Sequence, residues 1–226
     1  MSGQPYGGGG ADRLPNVQHA TVESDAPLVG EPSAGAKLFT QLRAIAETLI
    51  LTIVIFFVVQ TFVAQPYVVE QVSMENSLLP GQSVLVDKLT PRFDDYSRGD
   101  VVVFHPPASE SGETPFIKRV IGLPGDLIQL RNGAVLVNGV KLAEPYTYDE
   151  VDSNVQTDPE SDQSQWRIDK DSLFVMGDHR GSSVDSRSFG PIAKSSVIGR
   201  AVLRYWPLTK IAILQTPTYP GLAPPP

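Results

Sequence analysis

Ser73 and Lys118 are the residues whose types and surroundings could do chemistry together. Ser73 opens the segment Ser-Met-Glu-Asn-Ser-Leu-Leu-Pro-Gly, soon after a long apolar stretch ends. Lys118 sits in Phe-Ile-Lys-Arg-Val-Ile-Gly-Leu-Pro-Gly-Asp, a mostly apolar run with charge in its middle. Burial in such a setting disfavours the ammonium form, so the lysine loses its proton more readily than in water. A neutral lysine amine can take the proton of a serine hydroxyl and make it a nucleophile. That chemistry requires the two side chains to meet in space. Arg119, next along a strand, is expected to point away from Lys118.

Composition narrows the alternatives. The chain has 226 residues, a formal net charge of −7 and no cysteine. An acidic chain is a poor match for phosphate backbones, so no nucleic-acid partner is expected. Disulfides, thiolate nucleophiles and thiolate metal sites are excluded. Residues 142–166 hold Glu144, Asp149, Glu150, Asp152, Asp158, Glu160 and Asp162 with no Lys or Arg. The offsets and central glycine of a calcium loop are missing there, so the stretch reads as a solvated excursion. No metal and no cofactor is expected.

The elements that must position the pair begin with an anchor. Residues 44–64 are apolar over the length a helix needs to cross a bilayer core of about 30 Å. Glu47 falls in the first turn and Pro66 ends the pattern. Lys37 and Arg43 lie on the N-terminal side, and the next basic residue is Lys88. That asymmetry puts the N-terminus in the cytoplasm and the rest of the chain outside. Phe62-Val63-Ala64 loosely resembles a cleavage site, but the apolar run is longer than that of a cleaved leader and more than forty residues precede it. Residues 1–36, with Gly7 to Gly10 in a row, read as a disordered cytoplasmic tail, and 216–226 as a second disordered tail.

Beyond the anchor the pattern is short strands. Ser83–Asp87, Asp100–Phe104, Phe116–Ile121, Ser172–Met176 and Ser196–Tyr205 are rich in β-branched residues and bounded by Gly or Pro. Leu127–Arg131 and Ala134–Val137, joined by Asn132-Gly133, form a hairpin signal, and Asn138-Gly139 a second tight turn. Many short strands at close spacing predict a mainly β, antiparallel body.

In order along the chain stand Ser73-Met to Leu78, Arg98-Gly-Asp-Val-Val-Val-Phe104, Phe116 to Asp126, and Gly177-Asp-His-Arg-Gly-Ser-Ser-Val-Asp-Ser-Arg187. Four such segments after one membrane span resemble the bacterial type I signal peptidases. The resemblance implies a β-rich catalytic core, residues 67–126 and 171–215, carrying a smaller β insertion at 127–170. It implies a membrane-bound serine endopeptidase that removes signal peptides from exported preproteins, so the partners are signal peptides and the lipid bilayer. Ser73 would be the nucleophile and Lys118 the general base. Ser183 would orient the lysine amine, Asp185 and Arg187 would form an ion pair beside the site, and Asp178 would order that loop. Met74, Leu78, Phe116 and Ile117 would wall the substrate pocket. This chain departs from many relatives at Asn76-Ser77, where they carry Pro-Thr or Pro-Ser. It also has Gln71 where some relatives have an oxyanion-binding serine, so the oxyanion hole rests on the Ser73 N–H alone or on that N–H with the Gln71 amide.

Free lysine ionises near 10.4, and lowering that by two to three units costs roughly 3–4 kcal/mol. Ser73 lies nine residues past the anchor, at most about 30 Å of extended chain, which keeps the nucleophile near the membrane surface. Trp206 suits either the interface or a buried site. A Ser-His-Asp triad is disfavoured: Ser183, His179 and Asp185 share one loop, and no Gly-x-Ser-x-Gly elbow exists. The remaining alternative is a membrane-anchored β adaptor without catalysis.

Overall fold

The computed structural model describes residues 34–108, 110, 114–148, 157 and 163–222. Readings that fall on residues 1–33, most of 149–162 and 223–226 lie outside these. The chain divides into two units at Thr48 and Leu49. In the first, helix α1 (Ala34–Phe62) begins, with Arg43 Nε 2.7 Å from Glu47 Oε1 one turn on. Residues Lys37–Phe62 of α1 are long and apolar enough to cross a membrane. The helix starts ten residues before the anchor read from sequence and stops at Phe62, because Ala64 already belongs to strand β1 (Ala64–Val68).

The second unit is mainly antiparallel β. Its larger sheet runs β1, β2 (Ser83–Asp87), β11 (Val197–Trp206), β3 (Val101–Phe104), β4 (Phe116–Gly122), β9 (Ser172–Met176) and β10 (Ile192–Ala193), with β12 (Ala212–Ile213) also on β11. The smaller sheet runs β7 (Val140–Lys141), β6 (Ala134–Val137), β5 (Leu127–Arg131) and β8 (Gln165–Arg167). Asn132 and Gly133 have φ of 52° and 70°, the left-handed pair a two-residue hairpin turn demands, and they set Arg131 opposite Ala134. The only α-helix described after α1 is the single turn α2 (Ser186–Phe189), capped by the Asp185 carboxylate on the Arg187 N–H.

Alternation along the strands divides the core. Val101 and Val103 of β3 pack with Met74, Leu78, Val84, Val86 and Ile117. Val102 and Phe104 turn to the other face, with Val120, Leu173 and Val175. A third cluster joins the two sheets through Ile121, Ile128, Trp166 and Phe174. Lys118 is in register with Val102 and Arg119 with Val101, so the two cations leave β4 on opposite faces.

Of the residues expected as a disordered tail from 216, those described, 216–222, are held to the body. Leu214 N–H donates to Val202 O at 2.9 Å, Thr216 Oγ1 to Asp100 Oδ1 at 2.7 Å, and Tyr219 Oη to Tyr146 Oη at 3.1 Å. Tyr219 and Leu222 pack on the inter-sheet core. Thr216, Tyr219 and Leu222 together hold the segment among its prolines, the half-buried tyrosine gaining both apolar contact and a hydrogen-bond partner.

Gly199 lets β11 pass β2 closely: a Cβ there would lie 2.3 Å from Asp87 O and 2.8 Å from Val86 Cγ1. Because the obstacle is backbone, Gly199→Ala is expected to destabilise the protein by about 1–3 kcal/mol. In detergent, the denaturant midpoint should fall while the slope stays unchanged. An unmoved midpoint would show that the two strands separate without cost.

Candidate active site

Ser73 lies in a three-residue 3-10 turn, Val72–Met74, directly after the extended Gln71. Burying Met74 and Leu78 in the core pins that turn from below. Lys118 comes from the middle of β4, flanked on its own strand face by Phe116 and Val120. The two side chains meet: Lys118 Nζ and Ser73 Oγ are hydrogen-bonded at 2.7 Å. Ser73 is 3% exposed and Lys118 not at all, and Nζ lies 5.0 Å from the centre of the Phe116 ring. Burial pushes the Lys118 amine down to about 8; the Asp185 charge opposes that, Arg187 assists it and Asp178 opposes it.

The opposing carboxylates are each held by arginine. Asp185 accepts from Arg187 Nε and Nη2, both at 2.8 Å, from Gly177 N–H at 2.9 Å and from Ser183 Oγ at 2.7 Å. Burial alone would raise its carboxyl; the Arg187 hydrogen bond and charge, with the Gly177 and Ser183 donors, hold it below the usual range. Asp178 accepts from Arg119 Nε at 2.8 Å and Nη2 at 2.6 Å. Arg119 also donates to Gly99 O at 2.7 Å and Ser77 Oγ at 3.0 Å, and its guanidinium lies 4.1 Å from the Tyr146 ring centre.

The expected residues do not all stand where they were read. Ser183 was expected to hold the lysine amine; its hydroxyl donates to Asp185 instead, a charged acceptor two residues away and a stronger partner than an amine. Met74 and Leu78, expected as pocket walls, are fully buried in the core. Ile117 does line a groove, together with Tyr67 to Gln71, Val84, Val103, Thr114 and Pro115. Phe116 lies under Lys118 rather than in that lining. Gln71 is half-buried on the groove and its side chain does not cap the Ser73 turn.

Three features escaped the sequence reading. Gly177 is one: a Cβ there would fall 2.2 Å from Ser183 Oγ and 2.5 Å from Ser73 O, so only glycine lets the 177–187 loop close on the serine turn. Glu75 and His179 are another, with Glu75 Oε2 2.8 Å from His179 Nδ1. The third is Glu144, bonded to the buried Arg180 at 3.0 Å. Gly177 and His179 lay inside a quoted segment, but no spacing rule tells which partner a loop residue meets across the fold.

A buried serine hydroxyl hydrogen-bonded to a buried amine, with ion pairs around it, is an arrangement that could support nucleophilic acyl chemistry. Comparison with known proteins agrees in class. The family model described as signal peptidase, peptidase S26, matches residues 42–206. Signal peptidase I of Leptolyngbya laminosa is 34% identical over 196 residues, 84% of this chain and 91% of that protein. Signal peptidase I P of Bacillus subtilis subsp. natto is 34% identical over 170 residues, 73% and 89% of the two chains. A crystal structure of a signal peptidase I from Enterococcus faecalis V583 aligns at TM-score 0.41 and 30% identity, covering 48% of this chain and 98% of that one. The chain is a serine-type hydrolase. It belongs to the signal peptidase family, peptidase S26.

Gly177→Ala must displace Ser183 or the Ser73 carbonyl. A shift of about 1 Å at a catalytic group can cost about 100-fold in rate, so this variant is expected to lose most of its turnover while remaining folded. Peptide-cleavage rate and thermal unfolding, measured side by side, check it; full activity would mean that the loop absorbs a methyl group freely.

Proposed function

We propose that this chain is a membrane-anchored endopeptidase that removes signal peptides from exported preproteins, with Ser73 as nucleophile and Lys118 as general base. The observation that carries the proposal is the 2.7 Å contact between a buried hydroxyl and an amine pushed down to about 8. Lys118 Nζ takes the proton from Ser73 Oγ as Oγ bonds to the scissile carbonyl carbon. The carbonyl electrons move to oxygen, and the oxyanion accepts from the Ser73 N–H, with the Gln71 carboxamide on the groove as the candidate second donor. The protonated amine then gives its proton to the leaving nitrogen, and the carbon–nitrogen bond breaks. Lys118 next deprotonates a water that attacks the acyl-serine, and its proton returns to Oγ. Asp185 with Arg187, and Asp178 with Arg119, keep the loops rigid and leave little net charge beside the amine.

The groove supports an extended peptide as substrate. β1 has a strand partner on one edge only among the described residues, and a peptide laid along the groove can add to such an edge. Val69, Val84, Val103 and Ile117 offer shallow apolar contact for small side chains. Lys37 and Arg43, in the N-terminal turns of the candidate span, support an N-terminus in the cytoplasm and a catalytic body outside. Trp206, Leu208, Ile211 and Ile213 are exposed large apolar side chains, which supports a body working at the headgroup layer.

Detergent-solubilised protein is expected to cleave a signal-peptide substrate, and Ser73→Ala to lose that activity. Lys118→Arg should be equally inactive, because a guanidinium does not deprotonate at usable pH. Since the neutral amine is the active form, kcat/KM should rise about tenfold per pH unit below pH 8 and level off above it. Normal processing by Lys118→Arg, or a rate independent of pH between 6 and 8, would end the lysine-base mechanism. Gln71→Ala should lower kcat by about 10- to 1,000-fold if its amide binds the oxyanion. An unchanged kcat would leave that role to the Ser73 N–H.

A further inference from the structure

The turn that carries Ser73 is too short to hold itself. Val72–Met74 is one 3-10 turn, and its N-terminal flank lacks a side-chain cap. Its orientation must come from outside, and one residue grips it twice. The His179 N–H donates to Ser73 O at 3.0 Å. The His179 imidazole reaches Glu75 Oε2 at 2.8 Å, two residues further along the same turn. A carboxylate can only accept, so the imidazole Nδ1 carries the proton in that bond. Met74 and Leu78 anchor the turn from below, and two attachment points on either side of Met74 oppose its rotation about its own axis. Rotation is the motion that would swing Ser73 Oγ away from Lys118 Nζ.

The grip is backed from the insertion. Tyr148 stacks on the His179 ring with centroids 4.5 Å apart and planes at 29°, and its own N–H donates to Asp178 O at 3.0 Å. Asn76, in the left-handed region at φ 81°, donates from Nδ2 to Tyr146 O at 3.2 Å and Thr147 O at 3.1 Å. Asparagine tolerates that backbone, whereas a proline could neither adopt it nor donate. Asn76 and the Glu75–His179 bond therefore belong to one arrangement.

We propose that Glu75 and His179 are paired positioning residues of the active site, coupling the serine turn to the 177–187 loop and, through Tyr148, to the insertion. The inference rests on the reading of Ser73 as nucleophile. Neither side chain touches substrate in this scheme, so the pair acts on turnover and not on binding.

The experiment is a double-mutant cycle in the full-length, detergent-solubilised protein with a signal-peptide substrate, Ser73→Ala serving as the zero. Glu75→Ala and His179→Ala are each expected to lower kcat at least about tenfold with KM within twofold. Glu75→Ala/His179→Ala should lose no more than the worse single variant, because the first substitution already removes the bond. Glu75→Gln, which still accepts a hydrogen bond, should recover most of the kcat and serves in place of Glu75→Ala if that variant does not fold. Single variants with kcat within twofold of the parent, or losses that multiply in the double variant, overturn the pairing. A rise in KM at constant kcat overturns it too, since that assigns the residues to binding. A parent no faster than Ser73→Ala would instead overturn the nucleophile itself, whatever the pair does.

Discussion

A lysine buried where its charged form is disfavoured is the constraint that organises the rest of this molecule. Lys118 has no exposed surface, and bringing its ionisation from 10.5 to about 8 costs about 3 kcal/mol at neutral pH. The sign follows from proton counting: between those two values the unfolded chain holds a proton that the folded chain does not, so stability rises with pH through that window and is diminished below it. A protein gains nothing in stability from such a residue. Its strand neighbours Phe116, Val120 and Val102 are apolar on the same face, which is what desolvation requires and what a surface lysine would not have.

The arginine-bound carboxylates make sense from the same constraint. A lone buried aspartate near the amine would hold it protonated, and both Asp185 and Asp178 act in that direction. Each is bound by a guanidinium through two hydrogen bonds, so the field at Nζ is that of two ion pairs and not of two anions. Two buried ion pairs add little stability of their own, because desolvation offsets most of their attraction. They do fix geometry. Through the Asp185 carboxylate, Arg187 also sets the Gly177 N–H and the Ser183 hydroxyl, and Gly177 is where the loop touches the serine turn.

How much of this was legible in the sequence depended on range. Local rules carried the strands: β2 and β9 have the bounds read from their β-branched runs, and Asn132-Gly133 forces the hairpin it signals. The opposite faces of Lys118 and Arg119 followed from period-two alternation alone. The meeting of residues 73 and 118 came through resemblance of whole segments, not through any spacing rule. What stayed hidden is long-range and specific. Ser183 was assigned to the amine although a carboxylate two residues away was the better acceptor. Met74 and Leu78 were read as pocket walls because they lie near Ser73 in sequence; nearness along a tight turn does not fix where a side chain points, and both go into the core. Composition made the C-terminal residues look like a tail, since a count of prolines cannot register that Tyr219 has a hydroxyl partner at Tyr146.

The smaller sheet gains a purpose from these contacts. Its loop reaches the serine turn through Tyr146 and Thr147, which accept from Asn76, and through Tyr148 on His179. Tyr146 also lies under Arg119 and receives Tyr219 from the C-terminal segment. The smaller sheet's loop and the 177–187 loop thus converge on one short turn that cannot hold itself, and the chain's last described residues brace that meeting through Tyr146. A fold whose lysine is fixed in the middle of a strand has one adjustable partner, the serine, and it is there that the supporting contacts accumulate.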